Sequence, residues 1–317
     1  MPDYFIALDV GGTKSDGVLF TPDGHILRHI ITPGANPLDL GFDAAMERYL
    51  QSIRLLLSKD VSRVKGMYAG IAAAMYLGDK LPHALRPLIP ADRLRIETDG
   101  PALISAMLGH RDGASLICGT GSSLTIRKGD QYDMIGGWGY LIDGCASGFI
   151  LGKRAVLAAV REHDGRGEKT LITKLLHDRI GEPVADHIET LYSRGRPYIA
   201  SFAGVIFDAL RQGDPVAEKI VRECIADLAE LVLTAYRRLG GAYTLVLNGG
   251  IFQAFPEYVQ LLKDSVPKDV EMIDSDAPPV FGCAVECLWD AGIDLTPSFK
   301  KTFMEDYRTL PVLRYKG

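Results

Sequence analysis

The sequence predicts an α/β protein of two domains, and three observations support this prediction. Strands and helices alternate along the chain, and the order of three strands, helix, strand, helix, strand and helix occurs twice. A glycine-rich turn follows the first strand of each copy. The chain has 317 residues, 47% of them hydrophobic, and is long enough to bury two cores. Such alternation places helices against the faces of a sheet.

The first copy follows from hydrophobic periodicity and turn signals. An Asp-Gly pair at 23–24 lies between two apolar runs and predicts a hairpin. The first domain is expected to span residues 1–113. We predict strands at 4–10, 16–20, 25–32, 66–71 and 94–97, and helices at 41–58, 80–89 and 100–109.

The second copy, expected to span 114–317, carries additional helices between about 168 and 240. Its longest helix has a clear start, because Asp214 suits an N-cap and Pro215 suits the first helical position. The tail at 299–317 is expected to form either a docked terminal helix or an interface. We predict strands at 115–118, 123–127, 131–135, 244–247 and 270–273, and helices at 215–239, 256–265 and 280–291.

Charge and composition argue against several classes of partner. The net charge of −5 offers no basic face, so nucleic acid is not expected as a partner. No apolar run approaches the roughly 18–20 residues of a membrane span, and no signal peptide is expected. Cys283 and Cys287 lie four apart on a helical pattern and fit a core better than a metal site. We therefore expect a cytoplasmic protein without structural disulfides.

Three glycine turns indicate phosphate binding, because a Cβ would block a phosphate that approaches bare backbone. One such turn would also fit an ordinary hairpin, but three of them near acidic residues indicate a nucleotide held between two domains. Asp9, before the first turn, is placed where a divalent metal could be held. The turns are Asp9-Val10-Gly11-Gly12-Thr13-Lys14, Gly119-Thr120-Gly121-Ser122 and Asn248-Gly249-Gly250.

In order and spacing these motifs resemble the BadF/BadG/BcrA/BcrD ATPase family, specifically its N-acetylglucosamine kinase branch, within the actin, hexokinase and Hsp70 superfamily. The resemblance covers nearly the whole chain. It implies two actin-like (ribonuclease H-like) α/β domains with a central nucleotide cleft, ATP and Mg²⁺ as cofactors, and a homodimer. The similarity also includes Asn36-Pro37, Thr98-Asp99, Gly136-Gly137-Trp138-Gly139 and Phe281-Gly282-Cys283-Ala284.

The resemblance also implies roles for individual residues. Asp9 resembles the acid associated with Mg²⁺ through water, and Asp99 resembles the acid that faces the acceptor hydroxyl. The implied phosphate-binding residues are Gly11, Gly12, Thr13, Lys14, Gly119, Thr120, Gly121 and Ser122. The implied adenosine-binding residues are Gly249 and Gly250, and the substrate-binding ones are Asn36, Asp99, Thr120, Trp138, Gly139 and Asp143.

Three of these residues have a second interpretation. Asp99 stands before Gly-Pro and would suit a helix cap as well as a general base. Asn36 precedes a proline, which is common in loops, although its amide also suits sugar hydroxyls. Trp138 would either stack on a sugar or pack under a loop.

The chain departs from the family pattern after Gly139. The family continues into an acidic pair, Asp-Glu, which lies at the sugar, but Gly144 and Cys145 stand at those positions here. Asp143, one place earlier, is a candidate replacement. The change bears on the identity of the sugar more than on phosphoryl transfer.

The leading hypothesis is ATP-dependent phosphorylation of an amino sugar (N-acetylglucosamine, glucosamine or a related hexose) at a primary hydroxyl. The altered loop suggests an alternative, a catalytically weakened sugar or nucleotide sensor. A further alternative is an ATPase activator of a dehydratase, which would need cysteines that hold an iron–sulfur cluster across a dimer. The Cys-Ala-Ala-Gly-Thr-Gly string of those activators is absent.

Overall fold

The computed structural model describes residues 3–57, 61–143 and 146–315. In chain order the strands are β1 (Phe5–Val10), β2 (Lys14–Phe20), β3 (Ile26–Pro33), β4 (Val64–Ile71), β5 (Ala91–Glu97), β6 (Gly113–Cys118), β7 (Ser122–Lys128), β8 (Gln131–Ile135), β9 (Tyr243–Asn248), β10 (Val270–Asp274) and β11 (Val312–Arg314). The helices are α1 (Pro37–Leu40), α2 (Phe42–Leu56), α3 (Lys80–Leu85), α4 (Asp99–Leu108), α5 (Gly148–His163), α6 (Leu171–Ile180), α7 (Ile188–Ala200), α8 (Ala203–Arg211), α9 (Pro215–Leu239), α10 (Gly250–Ala254), α11 (Pro256–Asp264), α12 (Pro279–Asp290) and α13 (Phe299–Thr309). Two short 3₁₀ helices flank α3, at Ala74–Leu77 and Arg86–Leu88.

The chain forms two compact units, unit 1 from Met1–Arg111 and Ser275–Gly317, and unit 2 from Asp112–Asp274. Each unit contains one mixed sheet, which confirms the predicted α/β class. The predicted nucleotide cleft stays a prediction. Within the described ranges, no helix combines the length and apolar character that a membrane span requires.

Unit 1 is built on a six-stranded sheet with the order β11-β3-β2-β1-β4-β5. Its central strand, β1, pairs antiparallel with β2 and parallel with β4. Because side chains alternate along a strand, β1 contributes to two cores. Phe5 and Ala7 pack with residues of α4, α12 and α13, whereas Ile6, Leu8 and Val10 pack with residues of α2 and α3.

Unit 2 contains a five-stranded sheet with the order β10-β9-β6-β7-β8. Helices α5, α6, α8, α9 and α11 contribute buried side chains to its core. The start of α9 agrees with the prediction, since the Asp214 carboxylate accepts a hydrogen bond from the backbone N–H of Ala217 at 2.8 Å.

The units differ from the predicted domains in the placement of the C-terminal residues. We predicted that 114–317 form one domain, but Ser275–Gly317 belongs to unit 1. Helix α12 packs so closely on α4 that a Cβ at Gly282 would lie 1.8 Å from the carbonyl oxygen of Ala102. Helix α13 adds Phe303, which contacts Phe20 and Phe281 edge-on with ring centroids 6.2 and 5.2 Å away. Burial of these apolar faces holds the C-terminal helices on unit 1.

We expect Phe303→Ala to lower the free energy of unfolding of unit 1 by about 3–5 kcal/mol, because it removes a fully buried ring from an aromatic cluster. Urea unfolding followed by circular dichroism measures the change. Tyr192→Ala is the control, since this side chain is 85% exposed and should change stability by less than about 0.5 kcal/mol. Equal stability of Phe303→Ala and wild type would contradict the docking of α13.

Candidate active site

Unit 1 places three carboxylates on one face of its sheet, near the end of β1. Asp9 lies near the end of β1, and Asp16 stands opposite it in register on β2. Asp99 is the first residue of α4, a helix that packs on the same face. Asp9 and Asp99 are partly exposed, whereas Asp16 is only 2% exposed.

The surroundings of Asp9 disfavour its ionised form. Burial, followed by the negative charges of Asp99 and Asp16, raises the pKa of Asp9 to about 8, and the positive charge of Lys14 opposes this shift. The structure brings the two predicted acids together within unit 1, because Gly70 pairs with Asp9 and a Cβ at Gly70 would lie 3.5 Å from the Asp99 Cα. A proton or a cation would relieve the repulsion between them.

Asp99 does not occupy the cap position that the capping interpretation required. Thr98 is the N-cap residue of α4, and Asp99 follows it as the first helical residue. Burial raises the pKa of the Asp99 carboxyl, and the backbone N–H groups of Asp99 and Gly100 offset part of this shift. A general base is most effective when its pKa lies nearer the working pH, so a raised value suits that role. The role itself stays a prediction.

Sequence reasoning missed Gly70, a residue of β4 that lies against α4 and α12. Gly70 pairs with Asp9 across the parallel strands β1 and β4. A Cβ at Gly70 would lie 3.2 Å from the Cys283 Sγ and 3.5 Å from the Asp99 Cα. The available signal was a glycine near the end of a predicted strand.

The first phosphate turn is joined to the loop that carries Asn36. Within the turn, the N–H of Gly11 donates to the carbonyl of Lys14 at 2.9 Å. The N–H of Gly34 donates to the carbonyl of Thr13 at 3.0 Å, and the N–H of Ala35 donates to the carbonyl of Gly11 at 3.1 Å. These bonds bring the predicted phosphate-binding and sugar-binding segments of unit 1 together.

Helix α2 supports the same loop from behind. The Tyr49 hydroxyl donates to the carbonyl of Ala35 at 2.6 Å, and the Arg48 guanidinium donates to the carbonyl of Gly34. Asn36 is 7% exposed, and its Oδ1 accepts from the N–H of Leu38 at 2.9 Å as the N-cap of α1. Its Nδ2 donors are therefore the groups suited to a sugar oxygen.

The second phosphate turn, in unit 2, leaves open space beside its glycines. The N–H of Gly148, at the start of α5, donates to the carbonyl of Gly119 at 2.8 Å and so holds the turn. A Cβ at Gly119, Gly121 or Gly250 would meet no protein atom within 4 Å, and none of the three has a positive φ. This open space is compatible with the close approach of a ligand to the backbone.

At position 249, in contrast, the fold itself requires a glycine. Its φ is 116°, and a Cβ there would lie 2.3 Å from the carbonyl oxygen of Cys118. The close contact holds the end of β9 against the end of β6, where the turn at 119–122 begins. Helix α10, which sequence reasoning missed, begins at Gly250 directly afterwards. The structure therefore brings 119–122 and 249–250 together within unit 2.

The Gly-Gly-Trp-Gly segment forms an exposed loop beside the second phosphate turn. Its three glycines, at 136, 137 and 139, all have positive φ, so the backbone itself requires them. Trp138 is 51% exposed. The N–H of Asp143 donates to the carbonyl of Gly139 at 2.8 Å and closes a tight turn. Gly144 and Cys145 lie outside the described residues, so the effect of that departure stays a prediction.

The acidic end of β1 fits Mg²⁺ in its donor chemistry. Mg²⁺ prefers oxygen ligands and commonly binds one or two carboxylates together with water and substrate phosphates. Asp9 and Asp99 supply such oxygens where negative charge is already in excess. The described part of the chain holds no group of three or more His, Cys, Asp or Glu that could hold a metal alone. A metal shared with nucleotide phosphates is compatible with this arrangement.

We expect Gly34→Ala to destabilise unit 1 by about 1–3 kcal/mol, because the new Cβ would lie 2.2 Å from the carbonyl oxygen of Gly12. The midpoint of urea unfolding measures this loss. In the control, Gly204→Ala in α8, the Cβ would lie 3.7 Å from its nearest neighbour, so stability should be kept or gained. An unchanged midpoint for Gly34→Ala would contradict the close contact of the two segments.

We expect the ligand-free protein to lose stability relative to Asp9→Asn as pH rises from about 4 to about 8. The folded protein raises the pKa of Asp9 from 3.8 to about 8, so it holds the proton more tightly than the unfolded chain. The stabilisation is complete below the unfolded pKa and is lost as pH rises through the folded one. Melting temperatures of both proteins, measured across this range without metal, test the prediction. A constant difference would show that Asp9 titrates normally.

Comparison with known proteins agrees with the sequence prediction. A curated relative from Clostridium acetobutylicum, named N-acetylmuramic acid/N-acetylglucosamine kinase, is 25% identical over 89% of this chain and 97% of its own. Glucosamine kinase GspK from Vibrio cholerae is 24% identical over 81% of this chain and 88% of its own.

Solved structures show the same fold. A Chromobacterium violaceum protein, provisionally named an N-acetylglucosamine kinase, matches with a TM-score of 0.72 and 21% identity over 89% of this chain and 98% of its own. The ROK family glucokinase from Streptomyces griseus, solved with glucose and AMPPNP, matches with a TM-score of 0.54 and 16% identity over 90% of this chain and 99% of its own. The BadF/BadG/BcrA/BcrD ATPase family matches residues 6–286, and the chain belongs to this family.

Proposed function

We propose that the protein is a kinase that transfers the γ-phosphoryl group of ATP to the primary hydroxyl of an amino sugar. The observation that carries the proposal is the proximity of Asp9, near the end of the central strand, to Asp99, at the start of α4. Burial raises the pKa of both carboxyl groups. The curated relatives support this class of reaction, because they are named as kinases of amino sugars.

Each unit contains residues that are proposed to bind the nucleotide. In unit 1, Gly11, Gly12, Thr13 and Lys14 are proposed to bind phosphate, and Asp9 to hold Mg²⁺ through water. In unit 2, residues 119–122, which have open space beside Gly119 and Gly121, are proposed to bind phosphate, and Gly249 and Gly250 are proposed to bind adenosine. Bound Mg²⁺ would neutralise charge on the phosphates during transfer. ATP as donor agrees with the cytoplasmic location expected from the sequence, and the homodimer stays a prediction.

Asp99 is the proposed general base. Its carboxylate would accept the proton of the sugar hydroxyl while that oxygen forms a bond to the γ-phosphorus and the bond to ADP breaks. Burial raises the pKa of Asp99, and this strengthens it as a proton acceptor. The N-terminal position on α4 provides a fixed backbone for this group.

The proposed acceptor is an amino sugar such as N-acetylglucosamine or glucosamine. Asn36 offers its Nδ2 donors, because its Oδ1 already caps α1. Trp138, which is half exposed, offers a ring on which a sugar could stack. Thr120, Gly139 and Asp143 complete the proposed substrate-binding set.

We expect Asp99→Asn to reduce sugar-dependent ADP formation by about 10²–10⁴-fold, because the amide cannot accept the hydroxyl proton. Affinity for an ATP analogue should change little. The assay measures ADP released from Mg-ATP with N-acetylglucosamine, glucosamine, N-acetylmuramic acid or glucose, each supplied alone. Calorimetry measures nucleotide affinity in the same preparations.

The matched control is Asp43→Asn, which also replaces an acid in the first turn of a unit 1 helix but at an exposed position. It should keep full activity. ATP binding without turnover on any sugar would favour the sensor. The activator alternative requires cysteines that reach a shared iron–sulfur cluster. Of the two candidates, Cys118 is fully buried within unit 2, and Cys145 lies outside the described residues.

A further inference from the structure

Asp16 is a buried carboxylate with a dedicated set of hydrogen bonds. It is 2% exposed, and the reaction proposed above does not use it. Its Oδ1 lies 3.0 Å from the Nε2 of His29, and its Oδ2 accepts from the hydroxyl of Tyr307 at 2.6 Å. Each carboxylate oxygen therefore has its own hydrogen-bonding partner.

The ring of His29 forms its side-chain hydrogen bond with this carboxylate. An ionised carboxylate only accepts, so the hydrogen-bond pattern assigns the ring proton to Nε2. The other ring nitrogen, Nδ1, is buried without a hydrogen-bond partner. The ring packs on Tyr307 with centroids 4.4 Å apart, so both donors stand in one small cluster. Leaving Nδ1 unpaired costs stability, and the fold retains this arrangement nonetheless.

The position of Asp16 is unfavourable for the fold alone. Asp9 and Asp16 are directly opposed on antiparallel strands, and like charges in such a pair destabilise a sheet. The next residues of β2 on the same face are Val18 and Phe20, both fully buried in the apolar core. An apolar residue at position 16 would continue that pattern without repulsion. A costly charge kept at this place indicates a functional reason.

We propose that Asp16, held by His29 and Tyr307, is a positioning residue whose fixed negative charge strengthens divalent-cation binding at Asp9. This inference rests on the proposed function for the presence of the cation. Asp16 acts through space, because its own oxygens are already engaged by the two donors. The C-terminal helix α13, through Tyr307, thereby becomes part of the nucleotide–metal site of unit 1.

The test is Mn²⁺ binding to the full chain with a non-hydrolysable ATP analogue and without sugar, followed by electron paramagnetic resonance at about pH 9. Asp16→Asn keeps the shape, since the amide can accept from His29 and donate to the Tyr307 oxygen, but it removes the charge. We expect a three- to tenfold rise in the Mn²⁺ dissociation constant, roughly the effect of one nearby charge in partly aqueous surroundings.

Tyr307→Phe is a second variant, which tests the inference even if Asp16→Asn does not fold. It keeps the ring that packs on His29 and removes only the hydroxyl. We expect Mn²⁺ binding to weaken two- to fivefold, because a less constrained Asp16 places its charge less effectively. The matched control is Tyr236→Phe, which removes a Tyr–Asp hydrogen bond of 2.7 Å to Asp269 in unit 2. It should bind Mn²⁺ as wild type does.

Wild-type Mn²⁺ affinity in a folded Asp16→Asn or Tyr307→Phe protein would overturn the inference. The measurement needs no turnover, so it is separable from the proposed function. A wild-type protein that phosphorylates no sugar but shows weakened Mn²⁺ binding in both variants would refute the kinase and retain the role of Asp16. A wild-type protein that binds no Mn²⁺ with the analogue would refute both.

Discussion

The acidic site of unit 1 depends on the close packing of α12 and α4 against the central strands. Two glycines permit it. At Gly282 a Cβ would overlap the backbone of Ala102, and at Gly70 a Cβ would meet Cys283 and the backbone of Asp99. Gly70 lies beside Asp9 in register, and a Cβ there would lie 3.5 Å from the Asp99 Cα, which places the first residue of α4 at the end of β1. The burial that raises the pKa of both acids follows from the same packing.

Electrostatics and stability act against each other in this region. Burial disfavours ionised carboxylates, and their mutual repulsion adds to the cost, as the pKa of about 8 at Asp9 shows. Lys14 opposes the repulsion from the neighbouring strand, and Asp16 is stabilised by its own donors. A fold that needed only stability would place apolar residues here. The arrangement is understandable if a cation and phosphates complete the site.

Local signals in the sequence predicted most elements, and long-range packing accounts for what they missed. Strand β8 and helix α9 begin and end where predicted, because alternation, an N-cap and a first-turn proline mark them clearly. Residues 280–288 of α12 are all buried, but the sequence cannot show which sheet covers this helix. Counting residues outward from the turn between β1 and β2 would have paired Asp9 with Asp16. Nothing local could have placed Tyr307, which reaches Asp16 across 291 positions of sequence.

The glycines of the candidate site illustrate the same limit. In the sequence, Gly249 and Gly250 are adjacent and look alike, and a family motif assigns them one role. In the structure Gly249 is required by its positive φ and by the backbone of Cys118, whereas Gly250 meets open space. Only the second kind of glycine argues for a ligand, because the fold would accept a larger residue there. Gly119 and Gly121 belong to this kind as well. The open space beside Gly119, Gly121 and Gly250, rather than the glycine motif as a whole, is therefore the feature of unit 2 that is compatible with a bound phosphate.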